Sequence, residues 1–307
     1  MWLRNLTVFQ ADGALPQTVA ELEAALAQAE CPPCGKQTLR TAGFAPPLKQ
    51  DSAMVQAVDG LVHARHREIV RLLPGPVVTE AVDARVDAIE TEQERRVGRR
   101  ERGEIKDQVI FELLPQAFTQ SRYTAIVLDL QQQHVWVDST SANRAEQVLT
   151  SLRDALGSLP VQPLDAGQDV AAQLTQWLRA PDTLPADLTL GDRCELRASD
   201  DSRAAMRCSA VDLHTDELRA HVDGGMQVKS LNLCWQDALE FDLDEQLTLK
   251  RLRPLDRIND DLEQLDADDA VAELQSRLAL QGGVLRQLMQ RLYPALGVQT
   301  PAAQAAA

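Results

Sequence analysis

The stretch "AMVQAVDGLVHARHREIVRLLP", Ala53 to Pro74, sets the reading of the fold. Its β-branched residues and alternation predict two strands around Asp59-Gly60, a favoured two-residue hairpin turn. After Pro74 and Pro76 the period changes. Val78, Val82, Val86 and Ile89 recur at helical spacing, and Ile105, Val109, Ile110, Leu113 and Leu114 form a second series ending at Pro115. Between them, from Glu90 to Glu104, Val97 is the only apolar residue, and Gly98 and Gly103 weaken any helix there by about 1 kcal/mol each. The expectation is an αα-hairpin that projects from strands on either side.

Working outward, "MWLRNLTVFQ" reads as a first strand and "LPQTVAELEAALAQAE" as a helix that "CPPCG" cannot continue. "YTAIVLDL" and "HVWVD" predict another strand pair. "SANRAEQVLTSLRDALG" predicts a helix capped by a hydroxyl near 139–141 and closed by Gly157. "SLPVQPLDAG" reads as a Pro-rich joint. Beyond it come a short helix around Trp177 and five candidate strands: "LTLGDRCELRA", "AAMRCSAV", "QVKSLNLCW", "LEFDL" and "LTLKRLR". Helices are expected near 262–280 and 284–295, with a frayed tail. Strands and helices alternate without a βαβ rhythm, so the fold class is α+β.

The 307 residues, 44% hydrophobic and 25% charged, suffice for a substantial core. No signal peptide is read at the start and no apolar run is long enough for a spanning helix, so no membrane partner is expected. Five cysteines at scattered spacing point to a reducing cytoplasm. A net charge of −15 argues against nucleic acid only on average. Asp256 to Glu273 has eight acids and one base, while 95–106 has six bases against Glu101 and Glu104.

That basic run, "ERRVGRRERGEIK" (Glu94 to Lys106), is the strongest functional signal. At about 100° per residue one helix would carry Arg95, Arg96, Arg99, Arg100, Arg102 and Lys106 on one side and the acids opposite. Such separation of sign favours a phosphate-facing surface over a solvated helix laced with ion pairs. Nothing nearby resembles a base-reading module, so contacts would be to the backbone.

Other candidates fit poorly. "CPPC" (Cys31 to Cys34) follows a helix and precedes a strand, the reverse of a thioredoxin-like site, and no second cysteine pair completes a zinc site. "CGKQT" has Glu30 and Gln37 where a phosphate loop needs Gly and Ser or Thr. The glycine pairs 224–225 and 282–283 read as turns. His63 and His66, three apart on a strand, face opposite ways and read as surface positions. "LDADDA" reads as a helix start favoured by the dipole rather than as a nuclease's magnesium site. No catalytic residue, metal or cofactor is indicated.

The chain resembles the bacterial recombination-associated protein family RdgC. The resemblance rests on "MWLRNL" (1–6), "ELLPQAF" (112–118), "VWVDSTSANRAEQVLTSLRDALGSLPVQPL" (135–164) and "LKRLRPLD" (249–256). It implies a ring-shaped homodimer of elongated subunits with tip-to-tip and base-to-base contacts. The central hole would admit duplex DNA. Residues 1–75 and 117–164 would form the centre, 76–116 the tip, 165–248 the base, and 249–307 helices returning to the centre. It further implies a non-enzymatic, nucleoid-associated protein that binds double-stranded and single-stranded DNA without sequence preference and limits RecA-mediated recombination.

By the same resemblance Phe118 would sit at the gate between tips, the alternative being a core residue at the hairpin foot. Arg144 and Arg153 are weaker candidates for phosphate contact. Arg207 and Lys229 are further ones, because Ser209 and Ala210 stand where relatives carry adjacent lysines; Lys250, Arg251 and Arg253 lie nearby. The rival reading is a protein-interaction factor whose charged tip docks an acidic partner.

Overall fold

The computed structural model describes residues 2–13, 15, 18–199, 204–265, 267 and 269–298. The chain opens with β1 (Thr7–Ala11), α1 (Val19–Gln28), β2 (Arg40–Ala45), β3 (Val55–Val58) and β4 (Leu61–Arg71). Two helices follow, α2 (Gly75–Gln93) and α3 (Arg99–Leu113), then β5 (Thr119–Asp129), β6 (His134–Val137), α4 (Ala142–Leu156) and β7 (Val161–Pro163). The second half holds α5 (Val170–Arg179), β8 (Leu188–Ala198), β9 (Ala205–Cys208), α6 (Asp216–Asp223), β10 (Met226–Trp235), β11 (Leu239–Asp244) and β12 (Leu249–Pro254). It closes with α7 (Asp256–Glu263) and α8 (Ala270–Ala295). The mixture is α+β, as expected.

The first sheet has strand order β2-β4-β5-β6-β1-β7, with β3 and β2 end to end along the same side of β4. Asp59 and Gly60 both have positive φ, 50° and 74°, which the tight β3–β4 turn requires. Strands β4 and β5 pair over their full length, from Leu61 with Asp129 to Arg71 with Thr119. One face buries Val62, Ile126 and Leu128 under α1 and α4 through Leu22, Leu26, Leu149 and Leu152. Ser141 caps α4 by accepting from the Arg144 N–H, and Gly157 ends it at φ 75°, both as predicted. The second sheet, β12-β11-β10-β8-β9, shares a larger core with α5, α8 and the near half of the first sheet's other face. Trp136, Trp177, Trp235 and Phe241 are buried in it.

Four expectations need correction. One helix, α8, runs through the Gly282-Gly283 pair that had read as a turn. A Cβ at Gly282 would lie 2.0 Å from Leu61 Cδ1, so glycine permits the helix to lie against β4. The Pro-rich joint contains β7, paired to β1. An additional helix, α6, packs Leu218 and Val222 into the core. His63 and His66 do face opposite ways, yet both are buried, at 1% and 4% exposure, because the sheet is covered on both sides there.

Helices α2 and α3 pair around Val78, Val82, Val86, Ile105 and Val109, a small core separate from the other two. Arg71 fastens the foot of this hairpin to the sheet. Its guanidinium donates to the carbonyls of Leu114 and Ala117 (both 2.9 Å) on one side and Gly35 (3.0 and 3.2 Å) and Cys34 (3.4 Å) on the other.

Candidate nucleic-acid interface

The basic run does not form the single helix that would gather six cations on one face. Helix α2 ends at Gln93, Glu94 turns left-handed at φ 48°, and α3 begins only at Arg99. Arg95 and Arg96 therefore lie in the turn. The acids are interleaved with the bases rather than opposite them. Arg95 grips Glu101 through two bonds (2.6 and 2.7 Å), Arg100 reaches Glu104 (3.3 Å), and Arg102 pairs with Asp83 across the hairpin. The Arg95 hydrogen bonds hold the Glu101 carboxyl below its usual range and raise Arg95 in return. Arg96, Arg99 and Lys106 have no carboxylate partner among the described residues.

The remaining sequence candidates occupy varied surroundings. Arg144 is half-buried, donating to Thr124 Oγ1 (2.9 Å) and Glu68 (3.2 Å), with Arg40 on the other oxygen of Glu68 (3.3 Å). Arg153 donates to the Leu159 carbonyl (3.4 Å). On the second sheet Arg207 and Arg197 share Glu195 (3.0 and 2.8 Å), and Lys229 pairs with Glu245 (2.9 Å). Lys250 pairs with Asp244 (2.7 Å), Arg251 with Asp242 (3.0 Å), and Arg253 with Glu240. Each of these second-sheet cations has a carboxylate already beside it.

Phe118 is 84% exposed, which excludes a core role. The Leu72 N–H bonds to its carbonyl at 2.8 Å, and Leu72, Val77 and Phe111 are exposed as well. Val77 lies in the first turn of α2 and Phe111 in the last turn of α3, so the foot of the hairpin is an apolar surface.

A different cationic site lies on the far half of the first sheet. Arg65 and Arg67, two apart on β4, share a face. The cross-strand partner of Arg67 is Tyr123 on β5. The guanidinium of Arg65 stands over the Tyr123 ring at 4.6 Å and that of Arg67 at 5.8 Å. Arg67 also donates to Ser121 Oγ through Nε (3.3 Å) and Nη2 (3.1 Å). Neither arginine has a carboxylate partner among the described residues. Burial depresses the basicity of Arg65 and neighbouring Arg67 adds to that, while Tyr123 opposes it. Two cations are thus held without counter-ions by an aromatic ring that is itself 47% exposed. Sequence reasoning passed over this group. Its signal was the i, i+2 arginines of "HARHRE", which a run-counting view of charge does not register.

All five cysteines are free. Burial raises Cys31 and Cys234, and burial together with Cys208 directly across the β8–β9 ladder pushes Cys194 up to about 12, away from activated thiols. Among the described residues no group of three or more His, Cys, Asp or Glu is placed to hold a metal ion. Asp266 and Asp268 of "LDADDA" lie outside the described residues; Asp269 caps α8 by accepting from Val271 and Ala272 (both 2.8 Å). No described helix is long and apolar enough to cross a membrane.

Comparison with known proteins agrees over the whole length. The family model described as "Putative exonuclease, RdgC" matches residues 1–299. The recombination-associated protein RdgC of Pseudomonas fluorescens is 37% identical over 301 residues, 97% of each chain. The Pseudomonas aeruginosa protein of that name is 36% identical with the same coverage. That of Edwardsiella ictaluri is 33% identical over 98% of this chain and 99% of its own. The chain belongs to the RdgC family of recombination-associated proteins.

Proposed function

We propose that this protein is a sequence-independent DNA-binding homodimer that limits RecA-mediated strand exchange by occupying DNA. Family membership ties it to recombination. The observation that carries the DNA reading is the Arg65–Tyr123–Arg67 surface, where two cations lack counter-ions among the described residues, in a chain of net charge −15. Free guanidinium groups neutralise phosphate without first giving up a carboxylate, and phosphate contacts are blind to sequence. Arg96, Arg99 and Lys106 at the hairpin end extend the same capacity.

The exposed apolar foot of the hairpin, Leu72, Val77, Phe111 and Phe118, supports self-association near the tip. With it goes the division into centre, tip and base, and a ring whose inner wall includes the Arg65–Arg67 face. We read the protein as non-catalytic and as residing with DNA in the cytoplasm.

The test is affinity for closed circular and short linear duplexes between about 50 and 200 mM salt, alongside sedimentation to establish the oligomer. Steep loss of affinity with salt is expected for backbone binding. Slower escape from circles than from linears is expected of a ring. Absence of binding at low salt overturns the reading, and magnesium-dependent shortening of linear DNA overturns its non-catalytic part. The second reading, docking of an acidic protein through Arg96, Arg99 and Lys106, predicts a dimer that retains no DNA.

A further inference from the structure

A buried imidazole normally finds hydrogen-bond partners, because leaving a polar group unsatisfied in the interior is costly. His63 is 1% exposed, and neither Nδ1 nor Nε2 has a partner among the described residues. Two residues along β4, on the same face, the Nε of Arg65 is buried and unpartnered as well. Both residues line one cleft of about 360 Å³ between the β4–β5 face and the first turn of α8, a size within the usual range of ligand sites. Its apolar wall includes Leu48, Ala125 and Leu274, and the half-exposed Tyr123 ring borders it.

The cleft's carboxylates are already engaged. Asp138 accepts from the backbone N–H groups of Arg4 (3.3 Å) and Asn5 (2.9 Å) and from Asn5 Nδ2 (3.1 Å), and Glu273 accepts from Arg277 (2.9 Å). The buried polar atoms of the cleft left without a partner among the described residues are those of His63 and Arg65. Burial pulls the His63 pKa down to about 3, so the ring is neutral and offers one donor and one acceptor. A ligand that uses all of this is planar, presents mixed donors and acceptors on its edge, and carries negative charge outside the cleft. A nucleobase on a sugar-phosphate chain has that description, and a bare anion would leave the apolar walls unused.

We propose that this cleft takes one unstacked base of a single-stranded nucleic acid, its face against Tyr123 and Arg65 and its edge bonded to His63 and Arg65. The adjacent Arg67 faces the strand's phosphate. The proposal rests on the DNA-binding reading above and adds the residues that accept a base of the single strand. A paired duplex base cannot enter without being flipped out, so duplex binding proceeds without the cleft.

The test uses the full-length protein with a deoxythymidine oligomer of about 12 nucleotides, an all-abasic oligomer of the same phosphate count, and a duplex of equal length. Stacking on one aromatic residue corresponds to about 5- to 150-fold in affinity. The wild type is expected to prefer the base-bearing oligomer over the abasic one by a factor in that range. Tyr123→Ala removes the preference for the base-bearing oligomer over the abasic one, whatever it does to duplex affinity, and Tyr123→Phe keeps it. Equal binding of the two oligomers overturns the proposal while duplex binding leaves the DNA reading intact. Survival of the base preference in Tyr123→Ala also overturns it, because Tyr123 would then only hold the arginines in place. Absence of binding to all three probes defeats the DNA reading, and the proposal with it.

Discussion

The helical hairpin and the β4–β5 face are both rich in arginine, yet their charge is differently available. In the hairpin Arg95, Arg100 and Arg102 are held by Glu101, Glu104 and Asp83. On the sheet only two arginines stand together, but both lack an acid partner among the described residues and lean on Tyr123 instead. A phosphate approaching the hairpin must compete with carboxylates for three of the six cations, whereas neither sheet arginine is ion-paired among the described residues. Charge density along a sequence therefore overstates the hairpin and understates the sheet.

The two regions also differ in how they should respond to acid, and this is the largest expected effect. The sheet buries His63 and His66 as neutral rings, with pKa values lowered by burial to about 3 and about 4 from 6.5. The unfolded chain takes up these protons first, so the stabilising contribution is complete above pH 6.5. It is lost as pH falls from there toward the folded values, at about 1.4 kcal/mol per pH unit for each ring. Urea unfolding at pH 7, 5.5 and 4.5 should show this loss, and His66→Gln should reduce the slope by about one proton. Equal slopes in variant and wild type would mean that His66 is protonated in the folded state. The α2–α3 segment contains no histidine and should not share this response.

Next in size is the hairpin's small core. Val86→Ala removes two methyl groups from a five-residue cluster and should cost about 2 kcal/mol. Hydrogen exchange should quicken in α2 and α3 while amides of β4 and β5 keep their protection. Quickening in both regions would show that the hairpin and sheet open as one unit. The smallest effect belongs to the exposed Arg85–Glu112 pair (3.0 Å), where a double-mutant cycle should yield less than about 1 kcal/mol. A larger coupling would make the hairpin's ion pairs structural elements in their own right.

Much of the fold was legible before the structure. Asp59-Gly60 marked its turn, Ser141 and Gly157 marked the ends of α4, and the valine stripe marked α2, because caps, turns and apolar periods are local signals. Continuity of α8 through Gly282 was not legible, since the reason for the glycine is Leu61, more than two hundred residues away. The partial neutralisation of the basic run was hidden for the same reason. Projecting it onto one helix ignored the left-handed Glu94, and Asp83 comes from the facing helix. Arg65 and Arg67 were visible as an alternation, but their lack of acids and their position around Tyr123 are properties of strand register. Burial of the two histidines required knowing that α4 and α8 cover opposite sides of the sheet.

The most direct test of the account compares how steeply DNA affinity falls with salt in Arg65→Ala/Arg67→Ala, Arg95→Ala/Arg102→Ala and the wild type. Each lost phosphate contact lowers the log–log slope by about 0.9. The account predicts a slope lower by about two for the sheet variant and one changed by less than about half a unit for the hairpin variant. A full two-unit drop in the hairpin variant with none in the sheet variant would contradict it, placing the DNA on the arginines that the structure shows paired.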